Sequence, residues 1–152
     1  MEIKPTQMTT HILTTIINEK PEAYAHIMGN HIQGTVCFYS YNKGTIMIYE
    51  IKGLPKNQLF FACHIHEGKS CQDPNGHFNP YQKEHPHHLG DLPPLYASQG
   101  TAWGILYIDR FKPESIIHHT FIIHEHSDDF HSQPSGNPGQ IIACGEIEYF
   151  IK

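Results

Sequence analysis

From His31 to Tyr41 polar and apolar positions alternate with a period of two, and the stretch is rich in aromatic and β-branched residues, the mark of a half-buried strand. Asn42-Lys43-Gly44 is a turn signal, and Thr45–Ile51 (TIMIYEI) completes a hairpin that Gly53-Leu54-Pro55 closes. Further strands are predicted over Leu59–His66, Thr101–Asp109, Thr120–His124 and Ile141–Phe150. Two segments carry no long apolar period. Residues 69–99 are rich in Gly, Pro, His and Asn, and residues 125–140 carry Pro134, Gly136, Pro138 and Gly139. Ordered loops of more than about 12–15 residues are usually functional. Only residues 1–22 read differently. Ile12, Leu13, Ile16 and Ile17 recur at helical spacing, and Pro21 ends the turn by Lys20, so a short helix or a loose extension is expected before the β domain of residues 23–152. The pattern predicts an all-β antiparallel sandwich or barrel of about eight strands.

Composition narrows the function. The chain has 152 residues and a formal net charge of −5, with a pI of about 6.2 and no basic run, which argues against a nucleic-acid partner. No stretch approaches the roughly 20 apolar residues of a membrane span, so no membrane partner is expected. Met1-Glu2-Ile3-Lys4-Pro5 carries an acid and a proline where a leader would be basic and then apolar. This reads as cytoplasmic, or as exported if a leader was removed. Cys37, Cys63, Cys71 and Cys144 form no CxxC pair, and their number allows one bridge and two free thiols.

The unusual feature is 14 histidines against 10 Lys+Arg. Histidine is the commonest metal ligand, and because no histidine run exceeds two, spacing has to explain the excess. On a strand, His64 and His66 point to the same face and can reach one ion. His77, His85, His88 and Asp91 supply three imidazoles and a carboxylate, the donor set of a closed tetrahedral zinc site. His87 adjoins His88, and spacing alone leaves either as the donor. His124 ends an apolar strand and precedes Glu125 and Asp128-Asp129. An all-imidazole set suits copper, and a mixed imidazole and carboxylate set suits zinc.

Five segments, "HIHEGKSC" (64–71), "GHFNP" (76–80), "HPHHLGDLPPL" (85–95), "IIHEHSDD" (122–129) and "SGNPGQIIACGEI" (135–147), together with "GLP" at 53–55, resemble successive motifs of copper/zinc superoxide dismutases in order and spacing. "GDLPPL" and the short loop between His66 and Cys71 look bacterial. The resemblance implies a Greek-key β-sandwich or barrel. It implies copper held by His64, His66, His77 and His124, and zinc held by His77, His85, His88 and Asp91, with His77 bridging and catalytic. It selects His88 over His87, because the ligand lies three residues before the aspartate. It also makes Asp128 the carboxylate that links His64 to His85, and Cys71–Cys144 a disulfide. The implied reaction converts superoxide to oxygen and hydrogen peroxide, in a monomer or a homodimer.

One position departs from the family. Where the resemblance places an anion-binding arginine in the substrate channel, counting back from Cys144 gives Ile141, while Ser135 keeps the small hydroxyl residue across the channel. No Lys or Arg occurs from Glu125 to Gln140, which leaves steering to His126, His131, Lys69 or Lys83 and implies a slower enzyme. Two other readings stand beside it. One is a copper- and zinc-binding module for storage, delivery or sensing with little catalysis. The other is a zinc hydrolase, which the closed donor set disfavours. Trp103 reads as packing within an alternating strand.

Overall fold

The computed structural model describes residues 1–151. Helix α1 (Gln7–Asn18) precedes β1 (Ala23–Gly29), β2 (Gln33–Tyr41), β3 (Gly44–Lys52), β4 (Phe60–Phe61), β5 (Cys63–His66), β6 (Leu95–Ser98), β7 (Thr101–Ile108), β8 (Thr120–His124) and β9 (Ile141–Tyr149), with a 3₁₀ turn at Pro113–Ser115. These nine strands form one antiparallel sheet in the order β4-β6-β7-β3-β2-β1-β9-β8-β5, curled into a nearly closed barrel.

Closure comes from a segment that the sequence reads as one strand. Leu59–His66 is split into β4 and β5, which lie at opposite ends of the sheet. Ala62 is the joint: its amide donates to the His126 carbonyl at 2.9 Å, and its carbonyl accepts from the His124 amide at 2.9 Å. The run Leu59-Phe60-Phe61-Ala62-Cys63 contains no Gly or Pro to reveal the break. Two strands exceed the expected set. β1 is a short alternation whose inward residues Ala23, Ala25 and Ile27 are fully buried. β6 lies inside the predicted first loop and turns into β7 through Gln99 and Gly100, both at positive φ (52° and 80°), as a two-residue hairpin requires. Gln99 lacks the usual Asn or Asp signal, so the turn is hard to read from sequence. Trp103 points outward and is exposed, contrary to the packing role expected of it.

The main core lies inside the barrel, where Val36, Phe38, Met47, Ile51, Phe61, Ile65, Phe121, Ile123 and Ile147 interdigitate. Burying one such side chain stabilises the fold by roughly 1.5–3 kcal/mol. α1 packs outside it. Thr6 caps the helix by accepting from the Thr9 amide at 3.3 Å. Thr10, Thr14 and Thr15 turn their hydroxyls back onto carbonyls four residues earlier, so these poor helix formers are satisfied locally. Ile12 and Ile16 rest on an outer-face cluster of Tyr39, Tyr41, Ile46, Ile48, Ile105 and Tyr107.

The first long loop doubles back along β5. The Ile65 amide donates to Gly90 and the Phe78 amide donates to Ile65, each at 2.8 Å. A Cβ on Gly90 would stand 2.1 Å from the Ile65 carbonyl oxygen, so only glycine permits this approach. Cys71 and Cys144 form a disulfide that ties this loop to β9 across a sequence separation of 73. Cys37 and Cys63 are free.

Candidate metal centre

Alternation along β5 sends Cys63 and Ile65 into the barrel and His64 and His66 to its other face, beneath the two long loops. β8 delivers His124 beside them, and the first loop delivers His77, His85, His88 and Asp91. All are buried. Their donor atoms converge in two sets, His64/His66/His77/His124 and His77/His85/His88/Asp91, with donors within 4.8 Å of one another in each set and His77 common to both. His87 is exposed, which separates it from its neighbour His88.

In the first set, three of the four rings have one nitrogen committed outward. His64 Nε2 donates to Asp128 Oδ2 at 2.7 Å, His66 Nδ1 to the Asn75 carbonyl at 2.7 Å, and His124 Nδ1 to the Gly139 carbonyl at 3.2 Å. The remaining nitrogens, His64 Nδ1, His66 Nε2 and His124 Nε2, are buried without a hydrogen-bond partner, as is His77 Nε2. An unsatisfied buried polar atom costs about 1–3 kcal/mol. Four such lone pairs in one pocket are the donor set of a cation, and an all-imidazole set suits copper.

In the second set, His77 Nδ1 lies 3.2 Å from His88 Nδ1, while Asp91 Oδ2 lies 3.2 Å from His85 Nδ1 and 3.3 Å from His88 Nδ1. Tetrahedral zinc, with bonds of about 2.0–2.1 Å, separates its donors by about 3.3 Å. The residues therefore fit that ion in donor type and spacing. Asp91 Oδ1 also accepts from His77 Nδ1 at 2.7 Å, and Oδ2 accepts from the His88 amide at 2.9 Å.

Asp128 joins the sets from behind, accepting from His64 Nε2 at 2.7 Å and from His85 Nε2 at 2.8 Å. It is itself fixed by the Phe130 amide, 2.7 Å from Oδ1. Gly136, at φ 78°, covers this bridge; a Cβ there would stand 2.0 Å from Asp128 Oδ1 and 2.6 Å from His85 Nε2. Such outer partners fix the tautomer and orientation of ligating histidines.

Burial, reinforced by neighbouring histidines, pushes His66 down to about 3 and His124 to about 4. Burial lowers His64 and His88 as well, against the pull of Asp128 and Asp91 respectively. For Asp91, burial favours the neutral acid, but hydrogen bonds from His77 and the His88 amide outweigh it and bring the carboxyl down to about 2. Neutral imidazoles and an ionised carboxylate are the protonation states that metal binding needs.

The first set opens to solvent through a mouth lined by residues that include His66, Asn75, His77, Asn79, His124 and Ser135. No Lys or Arg lines it among the described residues. Ser135 stands at this mouth, whereas Ile141 begins β9 and is not among the lining residues. The carbonyls of Asn75 and Gly139 were not foreseeable, since a backbone acceptor leaves no trace in residue identity. Arg110 is the only arginine in the chain, and it carries no ligand-type signal in the sequence. It donates to the carbonyls of His88 and Asp91.

Comparison with known proteins agrees with this geometry. Residues 32–147 match the family described as copper/zinc superoxide dismutase (SODC). "Superoxide dismutase [Cu-Zn] 2" of Aquifex aeolicus is 35% identical over 126 residues, covering 70% of this chain and 73% of that protein. "Superoxide dismutase [Cu-Zn]" of Cryptococcus neoformans var. grubii is 28% identical over 158 residues, covering 90% and 97%. "Superoxide dismutase-like protein YojM" of Bacillus subtilis is 36% identical over 107 residues, covering 55% and 53%. Among solved structures, the clock protein EA4 superposes with a TM-score of 0.76 at 25% identity, covering 99% of this chain and 100% of that one. The match spans the barrel strands β2 to β8, most of β9 and all of the converging donors, so the chain belongs to the copper/zinc superoxide dismutase family.

Proposed function

We propose that this protein dismutates superoxide, converting two superoxide anions and two protons to one O₂ and one H₂O₂. The reading is carried by the sharing of His77 between an all-imidazole set and an imidazole–carboxylate set. His64, His66, His77 and His124 would hold copper, and His77, His85, His88 and Asp91 would hold zinc. Bound there, copper supplies a one-electron redox couple and zinc a fixed positive charge.

The chain's own residues do the rest. Burial keeps His64, His66 and His124 neutral, while Asp128, the Asn75 carbonyl and the Gly139 carbonyl hold one nitrogen of each ring and so turn the lone pair of the other inward. His77 has Nδ1 in the zinc set and Nε2 in the copper set, so it can hold or release a proton at Nε2 next to the substrate position. Ser135 presents a hydroxyl to an anion at the mouth. With no cation lining that mouth, capture of superoxide rests on diffusion with little steering, and turnover is slower than in a relative with an arginine at position 141.

The experiment is to load the chain with copper and zinc, then measure both metals, the visible Cu(II) band and superoxide loss on one sample. One copper and one zinc per chain with turnover well above free-solution dismutation are expected. The cation-free mouth also favours a second reading, a copper- and zinc-binding module. A full complement of metals without turnover would establish that reading and overturn the first.

A further inference from the structure

Arg110 lies in the bend after β7, outside both long loops, and is exposed at the surface. Its backbone is tied to the barrel through the next residue. Phe111 is buried, and its carbonyl accepts from the buried Thr45 hydroxyl at 2.8 Å. From this anchor, Nη1 donates to the His88 carbonyl at 3.0 Å, and Nη2 donates to the Asp91 carbonyl. Both hydrogen bonds go to backbone carbonyls, and both carbonyls belong to residues whose side chains are donors of the second set. The His88–Asp91 turn is already closed from within, by the Asp91 amide on the His88 carbonyl at 3.2 Å and the His88 amide on Asp91 Oδ2 at 2.9 Å. A planar guanidinium offers two donors at fixed separation, which a lysine ammonium cannot. Arg110 also lines, with Asp91, Asp128 and Pro86, a hollow of about 320 Å³ that shares no lining residue with the mouth of the first set.

We propose that Arg110 is a positioning residue for zinc: it clamps the His88–Asp91 turn to the barrel, so that both donors are set before the ion arrives and release it slowly. The inference rests on the assignment of His77, His85, His88 and Asp91 to zinc. Its physical basis is preorganisation, since a turn already ordered loses less freedom on binding. The charge of Arg110 acts in the opposite sense, because a cation near the site repels Zn²⁺. The two effects therefore predict different outcomes for two substitutions. If the clamp dominates, Arg110→Lys, which keeps the charge and loses the fork, sheds zinc faster, and so does Arg110→Gln. If charge dominates, Arg110→Gln holds zinc more tightly and Arg110→Lys behaves as wild type.

The test uses the full chain loaded with zinc. Release is followed into an excess of a chromogenic chelator, with the melting temperature of metal-free protein as a folding control and Co(II) absorption in the zinc site as a geometric reporter. Both variants are expected to release zinc about tenfold faster, with an altered Co(II) band and a metal-free melting temperature close to wild type. Should Arg110→Gln fail to fold, Arg110→Lys decides alone. Release within about twofold of wild type in the variants, or slower release, overturns this inference while leaving the zinc assignment intact. A wild-type chain that takes up no zinc overturns the assignment and the inference together.

Discussion

His124 and Ile141 face each other across the β8–β9 ladder at the point where its register shifts: Ile123 pairs with Ala143, His124 pairs with Ile141, and Ile142 is left between. The bulge brings the start of β9 alongside a histidine of the all-imidazole set, yet the residue there is an isoleucine, 43% exposed and uncharged. Replacing it with arginine would put a cation beside a mouth that has none. Ile141→Arg is expected to raise superoxide turnover severalfold, up to about tenfold, at low ionic strength. The gain should shrink as salt rises and the field is screened. Turnover of wild type and variant at matched copper and zinc content checks this; an equal rate at low salt would show that the position does not govern capture.

Asp128 links His64 in one set to His85 in the other. An asparagine of the same shape keeps one acceptor oxygen and presents an NH₂ group to the second histidine, so one imidazole loses the partner that fixes its tautomer. Asp128→Asn is expected to weaken metal retention about 10–100-fold, a magnitude typical of such outer partners. Competition against a chelator for each metal measures it. Unchanged retention of both metals would mean that the bridge is incidental.

Helix α1 lies outside the span matched by the family and is held by few contacts: none of its residues is fully buried, and Ile12 and Ile16 supply its apolar footing. Ile12→Ala with Ile16→Ala should cost about 1–3 kcal/mol, less than full burial would imply because both sites are only half-buried. The loosened helix should uncover Cys37, Tyr39 and Tyr41. The observable is faster reaction of Cys37 with a thiol reagent, alongside a lower denaturation midpoint. Cys37 reactivity equal to wild type would show that the helix does not cover this face.

The sequence revealed most where side-chain chemistry repeats at fixed spacing. His64 and His66 two apart on a strand, and the donor series from His77 to Asp91, can be read before any fold is known, because ligand type and strand period constrain them directly. What could not be read depends on contacts between distant segments. The break at Ala62 is invisible in an unbroken apolar run, since it exists only because the two edges of the sheet meet there. β6 was hidden because four residues are too few to show a period, and because Gln99 carries the turn where an asparagine would have announced it. Counting along the chain from Cys144 reaches Ile141 but cannot show the bulge at Ile142, which sets Ile141 opposite His124 and outside the residues that line the mouth.

Stripping the metals should leave a protein sensitive to acid. Burial lowers His66 to about 3 and His124 to about 4, against an ordinary value of 6.5, and lowers His64 and His88 in the same direction. Below 6.5 the unfolded chain takes up protons that the folded chain refuses, so stability is full above that pH and falls as pH drops toward the folded values. Asp91, lowered from 3.8 to about 2, contributes stability that is present above 3.8 and is lost between 3.8 and 2. Both trends destabilise the metal-free fold on acidification, the histidines first. Urea midpoints of chelator-treated protein are therefore expected to decline steadily from pH 7 to pH 4, and His124→Gln should flatten that decline by removing one buried imidazole. A midpoint constant across this range would mean that the cluster takes up protons without strain. The buried lone pairs would then not be held neutral for a cation.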